Sequence, residues 1–462
     1  MEQKRNSLFL FGITLVAAIG GLLFGYDTAV ISGAEESLKV YLIDSLHLGA
    51  FIHGATISSA LIGCIIGGFI SGLFASKLGR KNSLIIAAIL FLISSLGAAY
   101  PEFIFFKKGE PTIGLLIAFN IYRIVGGIGV GLASAVCPMY IGEVAPANIR
   151  GRLVSFNQFM IILGMLVAYF VNFSISYGES QEWVNDIGWR YMFASCGVPA
   201  LLFGILLIIV PETPRYLSLK NQDDKALAIL SKINGSQAAK TILEEIKQTV
   251  DTSSEKLFTY GKLVIVIGIL LSVFQQFVGI NVALYYAPRI FESMGAGKEA
   301  SMLQTTVMGL VNVIFTVVAI LTVDKWGRKP LLIIGSIGMA IGMFGVAGMA
   351  YSDAIGIGTL IFIIIYTASF MMSWGPICWV LISEIFPNKI RGRAVAIAVA
   401  AQWAANYLIS STYPVMMEYS STLTYGFYGL MSVLSAFFVW KLVPETKGKT
   451  LEEMEATWKR TA

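Results

Sequence analysis

An aspartate and an arginine stand deep inside apolar sequence: Asp27 in GGLLFGYDTAVISG and Arg123 in NIYRIVGGIGVG. A charge in such a run marks function by default and looks for a partner of opposite sign. Desolvation raises a carboxyl pKa and a nearby guanidinium lowers it. A pair that joins in one conformation and parts in another is therefore a proton switch; the plainer alternative is a static bridge between helices. A second set is made of amides and indoles. It comprises Gln158 in SFNQF, Gln275, Gln276 and Asn281 in LSVFQQFVGIN, Asn312, Trp379 in SWGPICWV, and the pair Gln402–Trp403. Amides both donate and accept, which suits a ring of hydroxyls, and an indole face stacks on the apolar side of a sugar. Any single amide could equally glue helices together. A set spread over several runs and mixed with Trp points instead to a neutral polyol site.

A third set is written twice. EVAPANIRGR at 143–152 returns as EIFPNKIRGR at 384–393, KLGRK at 77–81 as KWGRK at 325–329, and VPET at 210–213 as VPET at 443–446. Each decapeptide opens on Glu (Glu143, Glu384) and closes on Arg-Gly-Arg from Arg150 or Arg391, while Arg80 and Arg328 head the basic turns. Loop topology explains Lys and Arg on one face but not the paired Glu. Bidentate Arg–carboxylate bridges use both signs. The expectation is a latch in which these bridges link the two halves and form only when that face is closed. Each bridge is weak in water, but a network can bias a rocking equilibrium.

The elements that must carry these residues follow from composition. The 462 residues are 56% hydrophobic and 13% charged, with mean hydropathy +0.74. Soluble domains are about a quarter charged, so this surface must face lipid. Twelve apolar runs are long enough to cross about 30 Å of hydrocarbon. They cover 8–32, 51–76, 82–100, 113–142, 153–175, 190–211, 261–287, 301–323, 330–351, 356–383, 394–415 and 421–443. Their length and continuity exclude a β-barrel of short alternating strands. The repeats then divide the chain into two six-helix bundles of equal orientation, 1–211 and 259–443. A helical linker domain, 212–258, lies between them and a tail, 444–462, follows. In the linker, Ala226, Ile229, Leu230 and Ile233, and then Ile242, Leu243, Ile246 and Val250, recur at helical spacing.

Charge sets the orientation. Outside one face lie only Lys39, Lys107, Lys108, Arg190, Arg289 and Lys298, with Arg123 inside a run. The face rich in Lys and Arg, with both termini, is expected in the cytoplasm. The net charge of +5 thus reports topology rather than nucleic-acid binding. Cys64, Cys137, Cys196 and Cys378 fall in separate runs without CxxC spacing and read as small buried hydrophobes, neither disulfide framework nor metal site. The first run is too long for a signal peptide and lacks an A-x-A site, so it is expected to stay as a helix. GGIGVG lacks a strand–helix context for a dinucleotide; like GCIIGGFISG, it reads as close helix packing. GKT at 448–450 lacks the first Walker glycine, position 443 being Val, so no ATP site is expected.

These motifs, with PETPR, SWGPICW, AVAAQW and PETKGKTLEE, resemble the sugar-porter branch of the major facilitator superfamily nearly end to end. The resemblance implies an all-α membrane protein without cofactor, working as a monomer in the bacterial inner membrane. The implied activity is proton-coupled monosaccharide symport by alternating access, with D-xylose ahead of D-glucose. It implies sugar contacts at Gln158, Gln275, Gln276, Asn281, Asn312, Trp379, Gln402 and Trp403, and adjoining pocket positions at Phe24, Tyr285 and Gly375. It implies proton coupling at Asp27 with Arg123, and an inner charge network of Arg80, Glu143, Arg150, Glu212, Arg328, Glu384 and Arg391. Two positions depart from the pattern. Met165 stands where a pocket Gln is implied, and Ser76 where the first basic turn should carry Asp or Asn, as Asp324 does in the second. A passive uniporter, a transporter-like sugar sensor and a channel are the alternatives. Asp27, the short tail and the absence of a ring of pore charges speak against each in turn.

Overall fold

The structure is a computed structural model that describes residues 7–103, 105–146, 149–249, 257–293, 295, 297–352, 356–387, 390–447 and 458. Helices dominate, and no strand occurs among the described residues. Six spans form the first half: α1 Ser7–Asp44, α2 Ser59–Lys77, α3 Arg80–Ala99, α4 Ile113–Val144, α5 Leu153–Ser176 and α6 Gln181–Ile209. Three short helices follow: α7 Pro214–Leu219, α8 Asp223–Asn234 and α9 Ser236–Thr249. The second half is α10 Leu263–Tyr285, α11 Lys298–Val323, α12 Arg328–Tyr351, α13 Gly358–Ile382, α14 Arg391–Tyr419 and α15 Ser421–Leu442. Because the number of spans is even, α1 begins and α15 ends on the same face. That face is the tail face below, and its opposite the far face.

Both halves pair their helices alike. In the first, α1 packs on α5, α2 on α4, and α3 on α4 and α6; in the second, α10 packs on α14, α11 on α13, and α12 on α13 and α15. Glycine makes the tightest of these contacts possible. A β-carbon on Gly63 would lie 2.0 Å from the Ile124 carbonyl oxygen, and one on Gly127 1.8 Å from that of Ala60. The α2 and α4 backbones therefore touch, as small residues at membrane interfaces allow. The halves meet where α5 packs on α11 and α2 on α14. All four cysteines are buried and unbridged.

Three boundaries depart from the apolar runs. The first helix continues far beyond residue 32, through Glu35 and Glu36, because Glu35 is buried in an ion pair rather than ending the helix. The second run splits: Ala50–Ile57 is a separate helix, broken from α2 at Ser58. The seventh, α10, breaks at Val278–Gly279, where Gly279 has φ +91° and the Tyr366 hydroxyl donates to the Val278 carbonyl at 2.8 Å. Only glycine adopts this left-handed geometry without strain. In the linker, α8 buries Ala226, Leu230 and Ile233 as the periodicity predicts; Val250 lies outside the described residues, as do 448–457 of the tail.

Candidate functional site

The amides of the second half form a ladder. The Asn281 amide donates to Gln276 Oε1, Gln276 Nε2 to Gln275 Oε1 at 3.4 Å, and Gln402 Nε2 to the same Gln275 oxygen. Gln275 Nε2 in turn donates to the carbonyls of Trp374 (2.9 Å) and Gly375 (3.3 Å), where α13 bends at Ser373. Trp374 is held from behind, its indole donating to Ser336 Oγ at 2.7 Å. Asn406, one turn beyond Gln402, donates to the Tyr285 hydroxyl at 3.3 Å. Sequence reading missed Asn406 and Trp374, although Asn406 stands four residues after Gln402, on the same helix face. Several polar atoms of this group are buried without a protein partner: both amide atoms of Asn312, Gln402 Oε1 and Trp403 Nε1. Buried polar groups are nearly always bonded, so these atoms call for a partner the protein does not supply; others are scattered through both halves, such as Asn120 Oδ1, Trp189 Nε1 and the Tyr425 hydroxyl. Gln158 on α5 and Trp379 stay half-buried, outside the ladder.

The charged pair of the first half is closed. Arg123 Nη1 lies 2.7 Å from Asp27 Oδ1, and the two residues are 2% and 5% exposed. Phe193 of α6 lies under the guanidinium, 5.3 Å to its ring centroid. The two groups of residues are joined by an aromatic contact. Phe24, one turn before Asp27 on α1, meets Trp403 of α14 with ring centroids 5.5 Å apart. The helix carrying the carboxylate therefore touches the edge of the amide ladder across the interface between halves.

The tail-face network corrects the expected latch. Arg80 donates to Glu143 from Nε (3.1 Å) and Nη2 (2.6 Å), and Arg328 to Glu384 from Nε (3.2 Å) and Nη2 (3.0 Å). Each bridge stays inside its own half, because each Arg begins the helix that packs against the one ending in its Glu. The hydroxyl of Thr213 donates to the other Glu143 oxygen, Oε2, and that of Thr446 to Glu384 Oε2, which it shares with Arg328 Nε; both bonds are 2.6 Å. The repeated VPET supplies more than this Thr. Glu212 accepts the backbone N–H groups of Arg80 (3.1 Å) and Lys81 (3.0 Å), and Glu445 those of Arg328 (3.0 Å) and Lys329 (2.9 Å). Each carboxylate thus caps a helix N-terminus, where orphan N–H groups favour an anion. Gly79 and Gly327 make room; a β-carbon would lie 2.2 Å from Glu212 Oε2 and 2.7 Å from Glu445 Oε2, respectively.

The two caps titrate differently. Burial dominates at Glu212 and holds its carboxyl above the ordinary range against three backbone N–H groups. At Glu445 burial also pushes upward, but four backbone N–H groups together outweigh it and hold the carboxyl low. On acidification Glu212 therefore takes up its proton first. Of the other expected members of the network, Arg150 is exposed, and Arg391 donates to the Phe386 carbonyl at 3.3 Å. Ser76 turns back on its own helix, donating to the Leu73 carbonyl at 3.0 Å, rather than capping a neighbour. The side chain of Asp324 lies outside the described residues.

Contacts between halves concentrate on the far face. Arg289 Nη1 lies 2.9 Å from Glu35 Oε1, the Tyr169 hydroxyl donates to the Leu284 carbonyl at 3.1 Å, and the Gly178 amide to Glu299 Oε1 at 3.1 Å. Next to them, a β-carbon on Gly54 would lie 2.1 Å from the Ser411 carbonyl oxygen of α14. The far face is closed in this structure. Within the first half, Arg190 clamps Glu102 with both terminal nitrogens (2.9 and 2.7 Å), and Tyr41 donates to the same carboxylate at 2.9 Å. Neither cluster was legible beforehand, since each joins residues distant in the chain.

The same architecture recurs in known proteins. The D-xylose-proton symporter of Escherichia coli (strain K12) is 53% identical, over 99% of this chain and 97% of its own length. The glucose facilitated diffusion protein of Zymomonas mobilis subsp. mobilis is 38% identical, over 99% of each. A solved structure described as the partially occluded inward open conformation of the xylose transporter XylE from E. coli superposes with TM-score 0.88 at 53% identity, covering 96% of this chain and 100% of that one. With a sugar (and other) transporter family profile matching residues 13–458, the chain belongs to the sugar transporter family: a multi-pass membrane transporter of the major facilitator fold rather than an enzyme.

Proposed function

We propose that the chain carries a monosaccharide and a proton together across the bacterial inner membrane by alternating access. The observation that carries this reading is the Phe24–Trp403 contact. It ties the helix of the buried Asp27–Arg123 pair to a site whose amide and indole atoms lack protein partners. Sugar hydroxyls are the natural partners for such atoms. Protonation of Asp27 weakens its hold on Arg123, frees α1 to move, and so makes sugar entry and proton entry one event. A membrane potential of 100 mV supplies about 2.3 kcal/mol per charge, enough for about fifty-fold accumulation at roughly 1.4 kcal/mol per tenfold.

The tail face, rich in Lys and Arg, is the cytoplasmic one on this reading, with both termini inside. The bundles 1–211 and 259–443 rock about the central site, while 212–258 couples them on the cytoplasmic face. One chain is the working unit, since it contains both the carboxylate and the sugar site. D-xylose is the favoured substrate and D-glucose the second; a 53% identical relative is named for the first. The competing reading is a passive uniporter, as a 38% identical relative is named for facilitated diffusion; the buried carboxylate of Asp27 favours coupling.

Proteoliposomes with a trapped pH dye test the coupling. Adding sugar outside should acidify the lumen; sugar entry at constant lumenal pH would establish the uniporter instead. The sugar site has its own test in Trp403→Phe, which removes an indole N–H with no protein acceptor. Folding stability should hold or rise, because an orphan donor is lost. Sugar affinity should fall about tenfold, the worth of one hydrogen bond. Unchanged affinity in titration calorimetry would take Nε1 out of the sugar site.

A further inference from the structure

We infer that Glu35, His53 and Arg289 form a gate clasp that sets how often the far face is closed. This rests on the alternating-access reading, but concerns residues the sugar and proton sites do not use. Glu35 is on α1, His53 on the Ala50–Ile57 helix, and Arg289 on the short helix Ala287–Ser293 that follows α10. Glu35 Oε1 lies 2.9 Å from Arg289 Nη1 and 3.1 Å from His53 Nε2. The carboxylate belongs to one half and the guanidinium to the other. His53 also touches the second half, edge-on to Tyr286 with ring centroids 6.3 Å apart. Its neighbour Gly54 is where the halves come into backbone contact at Ser411.

Position separates this cluster from the other ion pairs. Asp27–Arg123, Arg80–Glu143, Arg190–Glu102 and Arg328–Glu384 each lie within one half. A rigid-body rocking motion carries both partners of such a pair together and leaves it intact. The Glu35–Arg289 pair spans the seam that must open when the far face does, so its energy enters the closed state alone. Glu35 and His53 have side chains only 2% exposed, whereas that of Arg289 is 32% exposed. Closing the far face therefore strips water from Glu35, and Arg289 supplies the opposing charge. Glu36, Glu179, Glu292 and Glu299 line the same small cleft of about 60 Å³ and add negative charge, leaving Arg289 and Lys298 as its cations.

The burial asymmetry dictates unequal outcomes. Without Arg289 the closed state must bury the Glu35 carboxylate with only His53, 3.1 Å away, beside it, and removing the fixed charge from a buried pair is strongly unfavourable. Without Glu35 the half-exposed guanidinium can still be hydrated. Spin labels on cysteines placed at Phe103 and Tyr419, exposed positions on the two halves, with the four native cysteines replaced, report far-face opening as an inter-label distance. Arg289→Gln should shift the equilibrium at least tenfold toward the open distance. Glu35→Gln should shift it less than threefold. Glu35→Gln added to Arg289→Gln should bring it back to within threefold of the parent. Retained sugar binding by each variant shows that it is folded. An Arg289→Gln distribution like the parent's overturns the clasp, as does a double variant no better than Arg289→Gln alone. A parent whose distance never changes, with or without sugar, would instead overturn alternating access and the clasp with it. A parent that switches normally but moves sugar without protons would leave the clasp standing and remove only the coupling.

Discussion

Asp27→Asn should abolish sugar accumulation while leaving sugar exchange. Asn imitates the protonated, neutral carboxyl in size and hydrogen bonding, so α1 stays in the state that lets the carrier reorient. Arg123 remains charged, as guanidinium always does in proteins, and loses its 2.7 Å partner. With no carboxyl left beside Arg123 to take up and release a proton, sugar gradients dissipate rather than build. Accumulation should drop from about fifty-fold at 100 mV to unity. Counterflow with internal sugar should proceed within about threefold of the wild-type rate, and sugar affinity should be similarly unaffected. A variant that still concentrates sugar in energised vesicles would show that another group carries the proton. A variant that no longer binds sugar would assign Asp27 to folding rather than coupling, since a buried Arg stripped of its partner can destabilise by about 3–5 kcal/mol.

The second large effect belongs to Gly54. A β-carbon there would sit 2.1 Å from the Ser411 oxygen, 2.8 Å from its carbonyl carbon and 3.0 Å from Pro414 Cδ. Two of these are backbone atoms of another helix and cannot turn aside. Gly54→Leu must separate the Ala50–Ile57 helix from α14, and the clash exists only while the far face is closed. The substitution should therefore hold the transporter open on that face. Sugar binding from the far side should persist while both uptake and counterflow fall by about a hundredfold or more, as a loss of roughly 2.8 kcal/mol from the closed state would produce. Gly49→Leu is the control: nothing lies within 4 Å of a β-carbon at that position, and transport should be unchanged. Normal uptake by Gly54→Leu would mean that far-face closure does not bring these helices into contact during the cycle.

Much of the architecture is readable in the linear chain. Crossing a bilayer demands long apolar helices, so the number of spans follows from hydropathy. The second writing of KLGRK, EVAPANIRGR and VPET reveals two halves, because each motif sits at a corresponding helix end. Buried polar residues also stand out against such sequence: Asp27, Arg123 and the Gln275–Gln276 pair draw attention by being costly where they are. Boundaries set by local charge are less secure, and Glu35 did not end α1 because a partner more than half the chain away neutralises it.

Pairing is what the linear chain withholds. Glu143 faces a choice of arginines, Arg80 in its own half or others across the seam, and nothing local discriminates between them. Helix packing decides: α3 lies on α4 and α12 on α13, so each Glu finds the Arg that opens its neighbour. The repeated charges thereby become braces within each half. The connection that can open and close lies on the other face, between Glu35 and Arg289, and was invisible as a pair for the same reason. The kinds of residue and the number of spans follow from the solvent each segment must meet, which is a local property. Which charge answers which depends on helices brought side by side by contacts from 56 to 254 residues apart, and only the folded chain specifies that.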